Sequence, residues 1–213
     1  MKKKIISILG DSVSTYQGYT PEGFAFFGSW NAGETGVASV EDTWWMQVIR
    51  ALHGELGSNN SISGSLVGGR TLVSGTSPKR IAALGEGGQP DMILVAMGAN
   101  DWGFGFLPEE FESEYRRMLH LLKTAYPEAE IWCATIPEGK VREEGLFFDV
   151  DGLISKRVYS DIIRRAVKEA ELNLADLYGQ GEEYSTLDGV HPDKEGMDTL
   201  ARLWLGCMGK AKA

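Results

Sequence analysis

Short apolar runs alternate with segments of helical periodicity along the whole chain, and this alternation limits the fold more than any other feature. Apolar runs of this length, bounded by glycine or polar residues, are typical of buried parallel strands. The predicted strands are residues 4–9, 61–65, 92–97, 130–135 and 173–177. Strands that alternate with helices predict an α/β fold, in which a parallel sheet carries helices on both faces.

Four segments have the apolar stripe of helices that pack on a sheet. The predicted helices are residues 43–56, 108–126, 154–170 and 194–208. Pro108 suits the first position of its helix, because a backbone N–H at that position, which proline lacks, would have no partner within the helix. In the helix over 154–170, we expect four residues to face the core: Ile154, Val158, Ile162 and Val167.

Length and charge limit the size of the fold and the class of partner. The chain has 213 residues, of which 43% are hydrophobic, and this is enough for one substantial core. We therefore expect a single domain over residues 1–213. The net charge of −9 disfavours nucleic acid and anionic membrane surfaces as partners.

The first residues and the cysteines indicate a cytoplasmic protein. The apolar run after Lys4 is shorter than the hydrophobic region of a secretory signal, which has about 7–15 residues. No apolar run approaches the roughly 18 residues of a membrane span. Cys133 and Cys207 fit unpaired thiols in a reducing compartment.

Three short polar motifs together hold the parts that a serine hydrolase needs. They are Gly10-Asp11-Ser12, Gly98-Ala99-Asn100-Asp101 and Asp188-Gly189-Val190-His191-Pro192. Ligands of parallel α/β sheets bind beyond the carboxyl ends of the strands. Because Ser12, Gly64, Asn100 and His191 lie beyond different predicted strands, we expect them to converge on one rim of the sheet.

His191 is the histidine best placed for chemistry. His53 lies at a helix end and His120 on the outer side of its helix, so neither needs a function. Asp188 lies three residues before His191, close enough to bond the imidazole and to select its tautomer. Alternatively, this segment only caps the last helix, through Asp188 or Asp193.

The other candidates have equally ordinary alternatives. Ser12 lies in a Gly-Asp-Ser sequence that favours turns. Asn100 offers side-chain N–H donors that suit an oxyanion hole, but an Asn-Asp pair also forms turns. Gly64 would let a backbone N–H approach a substrate closely. Gly68 or Gly69 would take its place if the second strand ended later.

Together these residues resemble the SGNH (GDSL) hydrolase family. Ser12, Gly64, Asn100 and His191 match its four signature residues in order, and Asp188 matches its Asp-x-x-His motif. The resemblance covers nearly the whole chain and implies a flavodoxin-like three-layer sandwich with a five-stranded sheet. It implies that Ser12 attacks an ester carbonyl, that His191 transfers the proton and that Asp188 orients His191. The backbone N–H groups of Ser12 and Gly64 and the Asn100 side chain would hold the oxyanion, without a metal or an organic cofactor.

The connection at 13–41 is long and aromatic, and connections of this length are commonly functional. The candidate substrate-binding residues are Asp11, Tyr16, Tyr19, Trp30 and Trp102. Segment 138–152 is a second candidate wall of the site. Alternatively, the aromatic residues form an apolar cluster that fixes the connection. We expect a small-molecule or glycan ester as substrate, with a short acyl group such as acetyl on carbohydrate.

Three other functions compete with this one. Within the same family, the chain would be a lipase- or lysophospholipase-like enzyme or a thioesterase. Outside the class, it would be a non-catalytic carbohydrate-binding protein that uses the aromatic connection. A metal-dependent phosphoesterase would use Asp11, Asp101, Asp188 and His191, but such sites usually have more histidines than the three present here.

Overall fold

The computed structural model describes residues 3–141 and 154–209. Its strands are β1 (Ile5–Gly10), β2 (Glu55–Asn59), β3 (Met92–Ala96), β4 (Glu130–Ala134), β5 (Gly139–Val141), β6 (Asn173–Ala175) and β7 (Tyr184–Thr186). Its helices are α1 (Ala32–Thr35), α2 (Trp44–Ala51), α3 (Pro78–Ala83), α4 (Ala99–Gly103), α5 (Pro108–Ala125), α6 (Lys156–Glu169) and α7 (Lys194–Cys207). Short 3₁₀ turns occur at Ser12–Ser14 and Val40–Asp42.

Five strands form one parallel sheet in the order β2-β1-β3-β4-β6. This is the strand order of flavodoxin-like folds, with β6 as the fifth strand of the sheet. The first and third strands are in register from Ile6 opposite Met92 to Gly10 opposite Ala96. The predicted α/β fold with a five-stranded parallel sheet is therefore confirmed.

The sheet separates two apolar cores, because successive side chains of a strand point to opposite faces. Ile6 and Ile8 of β1 belong to the core formed with α2 and α7. Leu9 belongs to the core on the other face, with α5 and α6. On the first face, Trp44 of α2 stacks on Trp204 of α7, with ring centroids 5.0 Å apart and planes at 6°.

The second strand differs from the prediction over 61–65. It spans Glu55–Asn59, part of which was predicted to end the preceding helix. That helix stops at Ala51, and the chain turns through His53, which has a φ of 53°. Gly54 lets the turned chain pass close to β1, since a Cβ there would lie 2.7 Å from Cδ1 of Ile6. The strand is polar, so a search for apolar runs does not find it.

The predicted inward face of α6 was partly wrong. Ile154 precedes the helix and is 41% exposed, and Val158 is 38% exposed. Ile162 and Val167 are buried as predicted. The buried face is a stripe with helical spacing that consists of Tyr159, Ser160, Ile162, Ile163, Ala166 and Val167. The buried stripe therefore begins later than predicted, at Tyr159, and Val158 lies at its margin towards solvent.

Two further findings concern the membrane and the second wall of the site. In the part of the chain that the structure describes, no helix has the length and apolar character needed to cross a bilayer. Most of the predicted second wall, residues 142–152, lies outside the described residues.

Candidate active site

Ser12 begins a short 3₁₀ turn just beyond the carboxyl end of β1. Asp11 caps the turn, and its carboxylate accepts the N–H of Val13 at 3.1 Å. Gly10 permits the tight approach of the turn, because a Cβ there would lie 2.7 Å from Cβ of Ser14. The local sequence therefore places Ser12, which is buried, at the rim of the sheet.

Ser12, His191 and Asp188 form one continuous line of contacts. The Oγ of Ser12 lies 2.8 Å from Nε2 of His191, and Nδ1 of the same ring lies 2.6 Å from Oδ2 of Asp188. With a carboxylate on Nδ1, that nitrogen carries the ring proton, and Nε2 is able to accept the hydroxyl proton of Ser12. The structure thus brings together the three residues that the sequence predicts as nucleophile and acid-base pair.

The carboxylate of Asp188 is held in place by the backbone of its own loop. Its Oδ1 accepts the N–H of Val190 at 3.0 Å and that of His191 at 2.7 Å. The hydroxyl of Tyr184 donates to the C=O of Val190 at 2.7 Å. Burial alone would raise the pKa of Asp188, but the hydrogen bonds from His191 and Val190 outweigh it and hold this pKa below its usual value. Asp188 is therefore ionised at neutral pH.

Asp193, and not Asp188, caps α7. Its Oδ1 accepts the N–H of Gly196 at 2.9 Å, and the hydroxyl of Ser185 donates to its Oδ2 at 2.7 Å. The helix cap therefore does not account for Asp188 and His191.

Asn100 and Asp101 are adjacent but have different partners. The Nδ2 of Asn100 donates to the C=O of Ser65 at 2.9 Å, so its amide lies beside the segment that contains Gly64. Asp101 is buried, and its two carboxylate oxygens accept the N–H of Val67 at 3.1 and 2.9 Å. Burial raises the pKa of Asp101 to about 6, against the lowering effect of the Val67 hydrogen bond.

Two backbone donors, one in the turn after β1 and one in the segment that Asn100 contacts, have no acceptor among the described residues. Within residues 3–141 and 154–209, the N–H groups of Ser12 and Gly64 donate to no acceptor. Gly64 has a φ of 73°, a backbone conformation that favours glycine. Gly68, one of the two alternatives to Gly64, has its backbone N–H beside the carboxyl group of Asp101 and helps to lower the pKa of that group.

Arg80 of α3 is a buried cation that no motif in the sequence indicates. Its guanidinium donates to the C=O groups of Gly10 at 2.9 Å, Asn60 at 2.6 Å and Val73 at 2.7 Å. Burial lowers the pKa of Arg80 to about 10, and the nearby charge of Asp11 opposes this shift. Arginine is mostly a surface residue, so its position in the sequence carried no signal.

Phe26 is the second residue that was missed. Its ring stacks on that of His191, with centroids 3.8 Å apart and planes at 5°. The aromatic content of the connection over 13–41 indicated a functional segment, but it did not single out the aromatic residue that contacts the histidine.

The candidate substrate residues are spread over the rim and the core. Tyr16 requires a correction: its ring is buried in the core and its hydroxyl donates to the C=O of Ala38 at 2.9 Å. Tyr19 and Trp30 are 44% and 58% exposed. Trp102 is buried, although it lines a cavity that Asp11 also lines.

This small cavity, of about 50 Å³, is lined by sequence neighbours of Ser12 and His191. Its lining includes Asp11 and Val13, which flank Ser12, and Val190, which precedes His191. Most of the remaining lining is apolar. Burial raises the pKa of Asp11 to about 6, although the hydrogen bond from Val13 and the charge of His191 act against this shift.

The phosphoesterase alternative requires a cluster of metal ligands. Within the described ranges, no group of three or more histidine, cysteine, aspartate or glutamate side chains is arranged to hold a metal ion. The carboxylate of Asp101 is bound to Val67 and that of Asp188 to His191.

Comparison with known proteins agrees with the sequence motifs. A family model for GDSL-like lipases and acylhydrolases matches residues 4–144, more than half of the chain. The chain belongs to this family. The resemblance drawn from Ser12, Gly64, Asn100 and His191 is thus confirmed at the level of the family.

Two curated relatives have enzyme names. The chain is 26% identical over 120 residues to a multidomain esterase of Ruminococcus flavefaciens. The aligned region covers 54% of this chain and 15% of that protein. It is 25% identical over 148 residues to thioesterase 1/protease 1/lysophospholipase L1 of Escherichia coli. This alignment covers 68% of this chain and 65% of the relative. The chain thus spans less than two thirds of either relative.

A solved structure extends the likeness of the fold to the whole chain. A protein of Bacteroides ovatus, described as a GDSL-like lipase, superposes with a TM-score of 0.71 at 23% identity. The superposition covers 99% of this chain and 100% of the other. At this level of identity the likeness concerns the fold alone.

Proposed function

We propose that the chain is a serine esterase with Ser12 as nucleophile, His191 as general base and then acid, and Asp188 as the residue that orients His191. The observation that carries this proposal is the unbroken line of contacts, 2.8 Å from Ser12 to His191 and 2.6 Å from His191 to Asp188. Such a line is what a hydroxyl needs to act as a nucleophile at neutral pH.

The reaction proceeds in two halves. In the first, Oγ of Ser12 bonds to the ester carbonyl carbon while its proton passes to Nε2 of His191. The imidazolium returns this proton to the leaving alcohol as the C–O bond breaks, and the acyl group stays on Ser12. In the second half, His191 takes a proton from water, the resulting hydroxide attacks the acyl-enzyme, and Ser12 regains its proton as the acid leaves.

Three donors are available for the oxyanion of each tetrahedral intermediate. The unused N–H groups of Ser12 and Gly64 are two of them. The amide of Asn100 has two hydrogens and gives one to Ser65, so its second hydrogen is the third donor. Donors that are held by the backbone need no reorganisation when charge develops, which makes them effective in catalysis.

The size of the cavity lined by Asp11 and Val13 favours a short acyl group. A cavity needs roughly 10–15 Å³ to hold one buried water. The cavity of about 50 Å³ therefore holds only a few atoms, as in an acetyl or propionyl group. The lining residues Asp11, Val13 and Val190 are sequence neighbours of Ser12 and His191. We take this cavity as the acyl site.

A carbohydrate is the alcohol half that we propose. Tyr19 and Phe24, both partly exposed, line an open cleft of about 730 Å³ together with Asn60 and Lys79. Exposed aromatic faces beside amides and amines suit the apolar faces and hydroxyl groups of sugar rings. The name of the Ruminococcus flavefaciens relative, a multidomain esterase, agrees with action on esters.

A long-chain acylhydrolase is the second candidate, favoured by the name of the Escherichia coli relative, thioesterase 1/protease 1/lysophospholipase L1. Hydrolysis of aryl esters from acetyl to dodecanoyl, alongside acetylated oligosaccharides and a fatty acyl thioester, separates the two. Our proposal expects kcat/KM to fall beyond propionyl. A steady rise with chain length would replace it with the lipase- or thioesterase-like candidate.

The same proposal covers the setting of the enzyme. We place it in the cytoplasm as one domain that acts on a small-molecule or glycan ester, and not on nucleic acid or at a membrane. Free thiols at Cys133 and Cys207 are consistent with a reducing compartment. Fluorophosphonate labelling of Ser12 distinguishes this enzyme from a carbohydrate-binding protein, which would bind glycans without being labelled.

A further inference from the structure

One face of the His191 ring is covered by an aromatic ring. Phe26 lies flat against it, with centroids 3.8 Å apart and planes at 5°. The hydrogen bonds of His191 to Ser12 and Asp188 act at its two nitrogens, in the plane of the ring. They restrain movement out of this plane only weakly, and the stacked ring blocks it on one side. Phe27 packs edge-on against Phe26 at 4.9 Å and supports it.

Phe26 is also connected to the turn that carries the nucleophile. Its N–H donates to Oγ1 of Thr15 at 2.8 Å, and the same hydroxyl donates to the C=O of Ser12 at 2.8 Å. On the other side, Nδ2 of Asn31 donates to the C=O of Phe26 at 2.8 Å. One threonine hydroxyl thus links the nucleophile turn to the residue that covers the histidine.

The stack distinguishes the two charge states of the imidazole. His191 becomes an imidazolium when it takes the proton of Ser12 in the proposed reaction. A cation within about 6 Å of a ring centroid is attracted to the face of that ring, and 3.8 Å is well inside this limit. Neutral imidazole gains less. An interaction that strengthens as the transition state forms raises kcat.

We propose that Phe26 is a positioning residue for catalysis, which holds the ring of His191 between Ser12 and Asp188 and stabilises its charged form during proton transfer. This inference rests on the proposed role of His191 as the base. The hydrogen bonds through Thr15 make the position of the Phe26 ring dependent on the nucleophile turn, so that both parts of the proton-transfer line are set together.

The test compares Phe26→Leu with Phe26→Tyr. Leucine keeps an apolar cover without a π face, and tyrosine keeps the face. We expect Phe26→Leu to lower kcat by roughly 2- to 30-fold, with KM changed less than twofold. The midpoint of the acid limb of kcat/KM against pH should move to lower pH, because the imidazolium loses its stabilising face. Phe26→Tyr should retain the wild-type kcat and the wild-type midpoint. Phe104→Leu is the control for the same change, since Phe104 is an exposed phenylalanine that lines neither the cavity nor the cleft.

Wild-type kinetics in Phe26→Leu would overturn the proposal. So would a loss of kcat without movement of the midpoint, because that result indicates general loosening of the connection. A Phe26→Tyr variant as impaired as Phe26→Leu would show that shape, and not the ring, matters.

A measurement on the unaltered protein covers the case in which the variants fail to fold. The ring current of Phe26 should displace the carbon-bound ring protons of His191 upfield from those of the exposed His53 and His120 in a proton NMR spectrum. Unshifted resonances would contradict the stack. If Ser12→Ala retains activity, the proposed function fails while this NMR result stands, so the two failures are distinguishable.

Discussion

The two sides of the site are held in place in different ways. The nucleophile side comprises the segments that follow β1, β2 and β3, and buried charged groups fix its backbone. Arg80 donates to the C=O of Gly10, and Asp101 accepts the N–H of Val67, a residue 34 positions away in the chain. The pKa values of Arg80 and Asp101 are both shifted by burial. The backbone of the nucleophile side is therefore held by buried charged side chains of the core.

On the histidine side, residues 184–193, β7 pairs with β5, and the loop that follows β7 is held by contacts between near neighbours. Thr186 accepts the N–H of Gly189 at 2.8 Å, and Tyr184 donates to Val190 at 2.7 Å. His191 is only partly buried. Its orientation comes from Asp188 and from the stacked Phe26.

This contrast separates substitutions that act on the fold from those that act on the chemistry. Removal of a buried charge on the nucleophile side leaves buried backbone groups without partners, which costs stability. Side chains whose contacts are only with Ser12, His191 or Asp188 contribute little to stability, so their removal should lower activity in a protein that still folds.

Ser12→Ala should show the largest effect, on activity alone. We expect hydrolysis to fall by about 10⁴- to 10⁶-fold and fluorophosphonate labelling to disappear. The melting temperature should stay near that of the wild type, because the Ser12 hydroxyl bonds to the partly buried ring of His191 and not to a buried backbone group. Ser14→Ala is the matched control, since Ser14 is buried in the same turn and its hydroxyl has no partner among the described residues. An adduct located on Ser14 by mass spectrometry would contradict the assignment.

Asn100→Ala and Asp101→Ala should separate chemistry from stability between adjacent residues. Loss of one oxyanion donor typically lowers kcat by about 10²- to 10³-fold, and we expect this for Asn100→Ala with only a small change in melting temperature. Asp101→Ala should instead destabilise the fold by about 1–3 kcal/mol, because the buried N–H of Val67 loses its acceptor. Steady-state kinetics and thermal melting of both variants decide the matter. An unchanged kcat in Asn100→Ala would mean that Asn100 only forms a turn and does not contribute to the oxyanion hole.

Asp101 should also make the stability of the nucleophile side depend on pH. Burial raises its pKa to about 6, well above the value of about 3.9 in an unfolded chain. Between these values the folded state binds the proton more tightly, so the stability from this group is complete below pH 4 and declines as pH rises through 6. Asp101→Asn cannot titrate. Its stability relative to wild type should therefore increase between pH 4 and 7, by up to about 3 kcal/mol.

Urea denaturation at both pH values measures this difference. Asp11→Asn offers a comparison, because burial raises the pKa of Asp11 to about 6 as well. A stability difference between Asp101→Asn and wild type that stays constant with pH would mean that the carboxyl of Asp101 is ionised throughout the range.

The same division explains how much of the molecule the sequence predicts. The strand near Met92–Ala96 and the helix near Pro108–Ala125 are predicted almost to their ends, since their apolar patterns are local. The strand Glu55–Asn59 is not, because its sequence is polar and its conformation depends on pairing with β1. Pairing between distant segments leaves no mark in a local pattern.

In the site, the sequence predicts the residues that motifs carry. Ser12, His191 and Asp188 stand in short motifs beside turns, and the fold brings them together. Arg80 and Phe26 belong to no such motif. Their partners are carbonyl groups and a ring from distant parts of the chain, so their roles exist only in the folded protein.

The smallest expected effect concerns the cavity that we propose as the acyl site, which adjoins the histidine side. Leu200 of α7 is buried and lines this cavity, and Leu200→Ala would enlarge it. One extra methylene in an apolar pocket changes binding by about 1–3 kcal/mol. The ratio of kcat/KM for butanoyl to acetyl esters should therefore rise by roughly 10-fold. Leu203→Ala is the control, because Leu203 is buried in the same helix without lining the cavity, and both variants should lose about 2–5 kcal/mol of stability. Equal ratios in the two variants would place the acyl group elsewhere.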